Sequence, residues 1–174
     1  MLEASGLTGQ EHLELVEGDL ISKMGKKRPH VITVAALNTW LRMVFGERMV
    51  HTEAPIDVAP ADNSSNEPEP DAIVLNQDYS AFLSANPQPR DLLLVVEVSD
   101  STLKFDLTTK ARLYARAGIT EFWVLDIRGR RLIVHRDPAV GKYASVMEYG
   151  EREPASPLAA AAADFRAGDV LPPA

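Results

Sequence analysis

The segment DLLLVVEVS, residues 91–99, places five consecutive apolar residues, Leu92 to Val96, directly before a glutamate. Such a run predicts a strand that is buried on both faces, as at the centre of a sheet with helices on either side. Glu97 then lies within or just beyond the predicted core. An ionised carboxylate is costly there unless it is paired or binds a cation. Glu97 is therefore either a functional carboxylate, which we favour, or an acid at the end of the sheet that meets an arginine.

The elements predicted around this strand alternate between strands and helices. Thr8 and Glu11 have the spacing of a capping box, which predicts a short first helix. The later elements are a hairpin turning at Glu17-Gly18, a helix over 29–45, strands over 71–75 and 91–99, a helix from Asp106 to Gly118, and strands over 119–127, 131–137 and 142–150. This order predicts the α/β class, with a mixed central sheet flanked by helices.

The length and composition predict one domain without a membrane segment. The 174 residues suit a single domain over 1–174, with a core at about 11–150 and a tail, 151–174, expected to fray after a short helix. No apolar run approaches the length of a bilayer span, and no signal peptide is evident, so the expected compartment is the cytoplasm. The absence of cysteine excludes disulfides, thiolate zinc sites and cysteine nucleophiles. The sequence also lacks a P-loop and an H-E-x-x-H motif.

Charge is distributed unevenly along the chain. The net charge of −7 argues against strong nucleic-acid binding if it is taken alone. Ten acids lie in residues 51–100, however, whereas basic residues predominate in residues 20–50. The basic residues of that stretch are Lys23, Lys26, Lys27, Arg28, Arg42 and Arg48. This distribution fits a phosphate-binding rim beside an acidic metal site, or an ordinary charged surface.

The segment EPEPDAIVL, residues 67–75, supplies a second candidate carboxylate. We expect Glu67 and Glu69 to be solvated loop acids, whereas Asp71 begins a predicted strand. If that strand neighbours the one containing Glu97, the two carboxylates can converge. Paired carboxylates suit Mg²⁺, which usually takes one or two of them and retains waters. The alternative role for Asp71 is to cap a helix or a turn.

Lys110 lies on the helix that follows Glu97, four residues after Asp106. An acid and a lysine at this spacing commonly form a pair on a solvated helix face, and the residues alone favour that interpretation. The functional alternative is a cation that reaches the metal site and stabilises charge on a phosphoryl group.

The segments 67–75 and 91–99 strongly resemble the Uma-two endonuclease family of bacteria, a branch of the PD-(D/E)XK nuclease superfamily. The resemblance continues through the segment DLTTKARLYARAGITEFWVLDIRGRRLIVHRD. The resemblance covers about residues 11–145 and implies a restriction-endonuclease-like fold. It implies that Asp71 and Glu97 are the acids of the two motif elements. Most of the superfamily has a lysine two residues after the second acid, where this chain has Ser99. In the Uma-two branch the lysine lies on the following helix, which implies Lys110.

The resemblance also implies a fourth site residue and a reaction. Glu14 matches an acid of the N-terminal hairpin, with Glu17 as the competing choice. The implied activity is a Mg²⁺- or Mn²⁺-dependent endonuclease that acts on nucleic acid, with DNA favoured. Asp71, Glu97 and the carbonyl of Val98 would hold the metal. Lys23, Lys26, Lys27 and Arg28 would contact the nucleic-acid backbone.

Two alternative functions remain open, and a dimeric assembly is expected. A non-catalytic nucleic-acid-binding or regulatory module on the same fold is the main alternative, and a small-phosphoester hydrolase is a weaker one. A homodimer is expected, because many nucleases that cut duplexes need two sites, and an exposed strand at 131–137 or 142–149 could mediate it.

Overall fold

The apolar segment of residues 92–99 forms an inner strand of the main sheet in the computed structural model. This structure describes residues 13–22 and 27–174. Among these residues, the strands are β1 (Leu13–Val16), β2 (Asp19–Ser22), β3 (Val50–His51), β4 (Ala72–Leu75), β5 (Leu92–Ser99), β6 (Glu121–Asp126), β7 (Arg131–Ala139) and β8 (Lys142–Gly150). β1 and β2 form a separate hairpin, and the other six strands form one sheet in chain order.

The sheet is mixed, as the sequence predicted. β5 pairs in parallel with β6, and every other neighbouring pair in the sheet is antiparallel. Because β5 has β4 on one side and β6 on the other, both of its backbone edges are hydrogen-bonded. Its apolar residues pack on both faces, with Leu94 and Val96 in one core cluster and Val95 in the other.

One face of the sheet is covered by the long helix α1 (Arg28–Phe45), which matches the predicted helix within one residue. Pro29 occupies its first turn, where the missing N–H costs no helical hydrogen bond. The ring of Trp40 on α1 stacks on that of Trp123 on β6, with centroids 6.5 Å apart. Trp123 is therefore part of the core, and Trp40 packs against it.

The C-terminal segment, residues 151–174, packs on the same face and does not fray. Phe165 is buried against Trp40 and Trp123, with ring centroids at 4.9 and 5.3 Å. Ala155 and Phe165 bond each other's backbone, and Val170 and Leu171 are also buried. The expectation of a frayed tail is therefore wrong, and the apolar core extends well beyond residue 150.

The other face is covered by a helical segment with a π-helical turn at its centre. The segment comprises α2 (Leu103–Phe105), the π-helical turn Asp106–Lys110 and α3 (Ala111–Arg116). It begins three residues before the predicted start, and Gly118, two residues after its last helical residue, has a φ of +76°, which suits a residue without a side chain. Leu113 and Tyr114 pack from this segment onto the sheet.

Three remaining predictions can be placed in this fold. The strand 131–137 is part of β7, which lies between β6 and β8, so it is not an exposed edge. Of the two strands considered for a dimer, β8 alone lies at an edge of the sheet. The predicted first helix at Thr8 and Glu11 lies outside the described residues. None of the helices in the described part of the chain combines the length and the apolar character that a bilayer span requires.

Candidate active site

Asp71 and Glu97 meet where β4 begins beside β5. Ala72 of β4 is paired with Val96 of β5 in antiparallel register, so Asp71 and Glu97 continue that register as opposite neighbours. Opposite residues of antiparallel strands project from the same face of a sheet. Both side chains are buried, and the backbone N–H of Val98 donates to Asp71 Oδ2 at 2.8 Å. The predicted neighbouring strands therefore bring the two motif acids together.

Lys110 points into the core. Its Nζ lies 2.8 Å from Glu97 Oε1 and 2.9 Å from Glu14 Oε1, and only 2% of the residue is exposed. The interpretation of Lys110 as half of a solvated helix-surface pair is therefore wrong. Burial opposes the charged form of Lys110, but Glu97, Glu14 and Asp106 outweigh it and raise the lysine pKa above its usual range. The ammonium is a fixed positive charge between two carboxylates.

Glu14 reaches the same place from the N-terminal hairpin. Glu14 is buried, and its Oε2 accepts a hydrogen bond from the backbone N–H of Glu69 at 3.2 Å. Backbone hydrogen bonds between Leu15 and Glu67 fix the hairpin against the segment that leads to β4. Glu17, the competing acid, instead forms an ion pair with Arg116 at the surface. The structure thus places Glu14 at the site and Glu17 outside it.

Ser99, two residues after Glu97, pairs with Asp106 of the π-helical turn. Ser99 Oγ donates to Asp106 Oδ2 at 2.5 Å, and Thr102 Oγ1 donates to the same oxygen at 2.7 Å. Burial raises the pKa of Asp106, and the charge of Lys110 partly offsets this effect. Asp106 therefore faces the site and does not form an exposed pair with Lys110. The π-helical turn contains both Asp106 and Lys110, and π-bulges are frequent at functional sites.

The side chains of the four acids Glu14, Asp71, Glu97 and Asp106 lie with Lys110 around a cavity of about 500 Å³, within the range of small-molecule sites. The cavity also takes in the start of α1 and the connection from β5 to α2. Its lining consists of Glu14, Ile21, Ser22, Lys27, His30, Asp71, Glu97, Val98, Asp100, Ser101, Thr102, Phe105, Asp106 and Lys110. An acid cluster, a buried lysine and an exposed lysine thus share one recess at the end of the central strands.

The sequence matches the family Uma2, described as "Putative restriction endonuclease", over residues 2–166. The chain belongs to the Uma2 family. The fold is similar to that of a crystal structure described as a "putative nuclease belonging to DUF820" from Anabaena variabilis, with a TM-score of 0.70. That similarity covers 93% of this chain and 90% of the other at 14% identity, so it shows the fold alone. No curated protein matches the chain.

Uma2 membership confirms the resemblance inferred from the motifs and makes the chain a member of a nuclease-like family. The residue roles stay predictions, because they come from the motif match. The basic stretch is described only in part. Lys27 and Arg28 are exposed, and Lys27 lines the cavity, whereas Lys23 and Lys26 lie outside the described residues.

The donor set suits a hard divalent cation by its chemistry. The described residues contain no group of three or more His, Cys, Asp and Glu side chains arranged to hold a metal ion. Mg²⁺ does not require such a group, because it is commonly held by one or two carboxylates, waters and substrate phosphate. Asp71 and Glu97 offer two carboxylates in one cavity, and Val98 also lines it.

Sequence reasoning missed three groups around these acids. Tyr114 Oη donates to Glu97 Oε1 at 2.9 Å, and His30 Nε2 lies 3.3 Å from Asp71 Oδ2. Asp106 was considered only as a partner of Lys110. Tyr114 follows Lys110 by four residues, so its position on the same helix face was an available signal. No local signal marks His30, which is 41 residues away from its contact.

Proposed function

We propose that this Uma2 protein is a divalent-metal-dependent endonuclease that hydrolyses phosphodiester bonds in nucleic acid, with DNA as the favoured substrate. The observation that carries the proposal is the convergence of Glu14, Asp71, Glu97 and Lys110 in one cavity. These residues come from the hairpin, the start of β4, β5 and the π-helical turn. Burying three carboxylates and a lysine together is costly for folding, and a catalytic site gives a physical reason for that cost.

In this proposal, Asp71, Glu97 and the carbonyl of Val98 hold Mg²⁺ or Mn²⁺. A divalent ion bound there would supply a water of lowered pKa and neutralise charge on the phosphate. The backbone N–H of Val98 orients the Asp71 carboxylate through its hydrogen bond to Oδ2. Glu97 is oriented by Lys110 and Tyr114, which both donate to Oε1.

Lys110 and Glu14 complete the proposed site. The Lys110 ammonium is the buried positive charge that can hold an attacking water or stabilise charge that develops on the phosphate. Glu14 forms a second ion pair with that ammonium and can accept a hydrogen bond from a water in the cavity. Preorganised charges of this kind are effective because they do not have to reorient during the reaction.

The proposed substrate carries negative charge towards a protein of net charge −7. Basic groups near the cavity must therefore offset the overall repulsion. We assign the backbone contacts to Lys23, Lys26, Lys27 and Arg28, of which Lys27 lines the cavity. A homodimer through the edge strand β8 and a cytoplasmic location complete the proposal.

Asp71→Asn tests the proposal in a cleavage assay. Plasmid, single-stranded DNA and RNA would be incubated with Mg²⁺, Mn²⁺ or EDTA. We expect metal-dependent cleavage by the wild type and a loss of at least about 100-fold in the variant, in the range of general acid–base and electrostatic contributions. Glu67→Gln is the matched control, because Glu67 belongs to the same segment but is exposed, and its cleavage rate should not change.

Cleavage that persists in EDTA or in Asp71→Asn would contradict the proposal. If no substrate is cleaved, calorimetry would show whether the protein binds Mn²⁺. A protein that binds no metal and cleaves no substrate, but retains salt-dependent affinity for nucleic acid, would be the non-catalytic binding module.

A further inference from the structure

His30 reaches the candidate site from the first turn of α1, an element that contributes none of the motif acids. Pro29 restricts the backbone of this turn, and Thr33 Oγ1 donates to the carbonyl of Pro29 at 2.8 Å. Thr33 itself is buried. These features restrain the backbone at His30 independently of its side-chain contacts. His30 also lines the cavity.

The imidazole contacts the carboxylate of Asp71. His30 Nε2 lies 3.3 Å from Asp71 Oδ2, and 13% of the His30 side chain is exposed. The other ring nitrogen, Nδ1, is buried and has no hydrogen-bond partner among the described residues. The contact with Asp71 is thus the polar contact that orients the ring within the described structure, and it requires a proton on Nε2.

The oxygen that His30 contacts also accepts the backbone N–H of Val98. Every hydrogen bond that a carboxylate accepts restricts its rotation. The imidazole from α1 adds its contact to that of the β5 backbone, and so further restricts the direction in which the Asp71 carboxylate presents its oxygens. Hydrogen-bond partners of metal-binding carboxylates act in this way on metal affinity.

We propose that His30 is a positioning residue that holds the Asp71 carboxylate in the orientation needed to bind the divalent ion. The inference rests on the proposed function, because it assumes that Asp71 is a metal ligand. It assigns to His30 a hydrogen bond and no proton transfer. It also makes the first turn of α1 part of the metal site.

Mn²⁺ binding in the absence of nucleic acid tests this role. Wild type, His30→Phe and His30→Gln would be compared by isothermal titration calorimetry and by the electron paramagnetic resonance signal of free Mn²⁺. Removing such a partner typically weakens metal affinity by about 10–100-fold, and we expect this loss in His30→Phe. His30→Gln places an amide N–H near the position of Nε2 and should restore most of the affinity.

His51→Phe is the matched control. His51 is exposed on β3 and stacks on Tyr79 outside the cavity, so its substitution should leave Mn²⁺ affinity unchanged. Far-UV circular dichroism and the melting temperature would show whether each variant is folded. If His30→Phe does not fold, His30→Asn takes its place, because its shorter amide does not reach the position of Nε2.

The possible results separate the two proposals. Wild type that binds no Mn²⁺ overturns the metal-dependent function, and the role of His30 with it. Wild type that binds Mn²⁺ while His30→Phe binds equally well overturns the positioning role alone. Equal weakening in His30→Phe and His30→Gln would also overturn it, because the amide restores the hydrogen bond but not the ring.

Discussion

Glu97 and Glu121 are buried carboxylates in the adjacent strands β5 and β6, but they face opposite sides of the sheet. Glu97 is opposite Val124 in the parallel register, and Glu121 projects from β6 on the other side with Trp123. Glu97 lines the cavity together with residues of α2 and the π-helical turn, whereas Glu121 accepts a hydrogen bond from the C-terminal segment. The two residues allow a carboxylate of the candidate site to be compared with one that joins elements of the fold in the same sheet.

The partners of the two acids differ in kind. Arg136 donates to Glu121 Oε1 through Nε and Nη2, Trp123 Nε1 donates to the same oxygen, and the backbone N–H of Leu158 donates to Oε2. This set joins β6, β7 and the C-terminal segment. Glu97 instead shares Lys110 with Glu14 beside an open recess. A rigid arginine fork suits a permanent ion pair, whereas a compact ammonium suits a site that exchanges partners.

Lys110→Met is expected to give the largest effect, because it removes one cation from two carboxylates. Removing one partner of a buried ion pair typically costs about 3–5 kcal/mol of unfolding free energy. Loss of a preorganised charge should also lower the cleavage rate by about 100–1,000-fold. Urea unfolding and the plasmid cleavage assay measure the two effects. Lys104→Met, at an exposed position of the same helical segment, is the matched control.

The pH dependence of this stability difference has a definite sign. The carboxylates raise the pKa of Lys110 above its unfolded value of about 10.4. Its contribution is therefore fully present below the unfolded value and is lost as the pH rises through the folded value. The difference in unfolding free energy between wild type and Lys110→Met should be constant from about pH 6 to pH 9. A difference that disappears within this range would contradict the buried ion pair.

Glu121→Gln should separate stability from activity on the other face of the sheet. The amide keeps the shape of the side chain but weakens the charge-assisted bonds from Arg136, at a cost of about 1.5–3 kcal/mol. Because Glu121 does not line the cavity, the cleavage rate well below the unfolding midpoint should equal that of wild type. Lost cleavage with unchanged stability would show that this face also contributes to the site.

The sequence was sufficient to predict most of the sheet because its strands have strong local patterns. The hairpin turn at Glu17-Gly18, the helix behind Pro29 and the strand before Glu97 were all confirmed. The C-terminal segment was not predicted, because its apolar residues have no regular period. Its order depends on a distant surface formed by Trp40 and Trp123.

The candidate site was predictable where burial conflicts with charge. Glu97 stood out because it follows five apolar residues, and Asp71 because it begins the neighbouring strand. The spacing of Lys110 from Asp106 favoured a surface pair, so only the family resemblance indicated its position. The burial of Glu121 was not predicted, although it is as buried as Glu97. Its ion pair depends on the register of β6 and β7, which local sequence does not reveal.

His135, a third buried titratable group, differs from the two acids because its ring contacts a backbone carbonyl. Its Nδ1 lies 3.3 Å from the carbonyl oxygen of Phe122, and burial lowers its pKa. As the pH falls through the unfolded value of about 6.5, the unfolded chain gains a proton that the folded chain resists, so stability declines.

His135→Gln, which cannot titrate, should therefore lose less unfolding free energy than wild type between pH 7.5 and pH 5.5 in urea unfolding. Equal losses would show that His135 is protonated in the folded protein as readily as in the unfolded chain. We expect this effect to be the smallest, because one imidazole that can remain neutral costs less than a carboxylate or ammonium deprived of its partner.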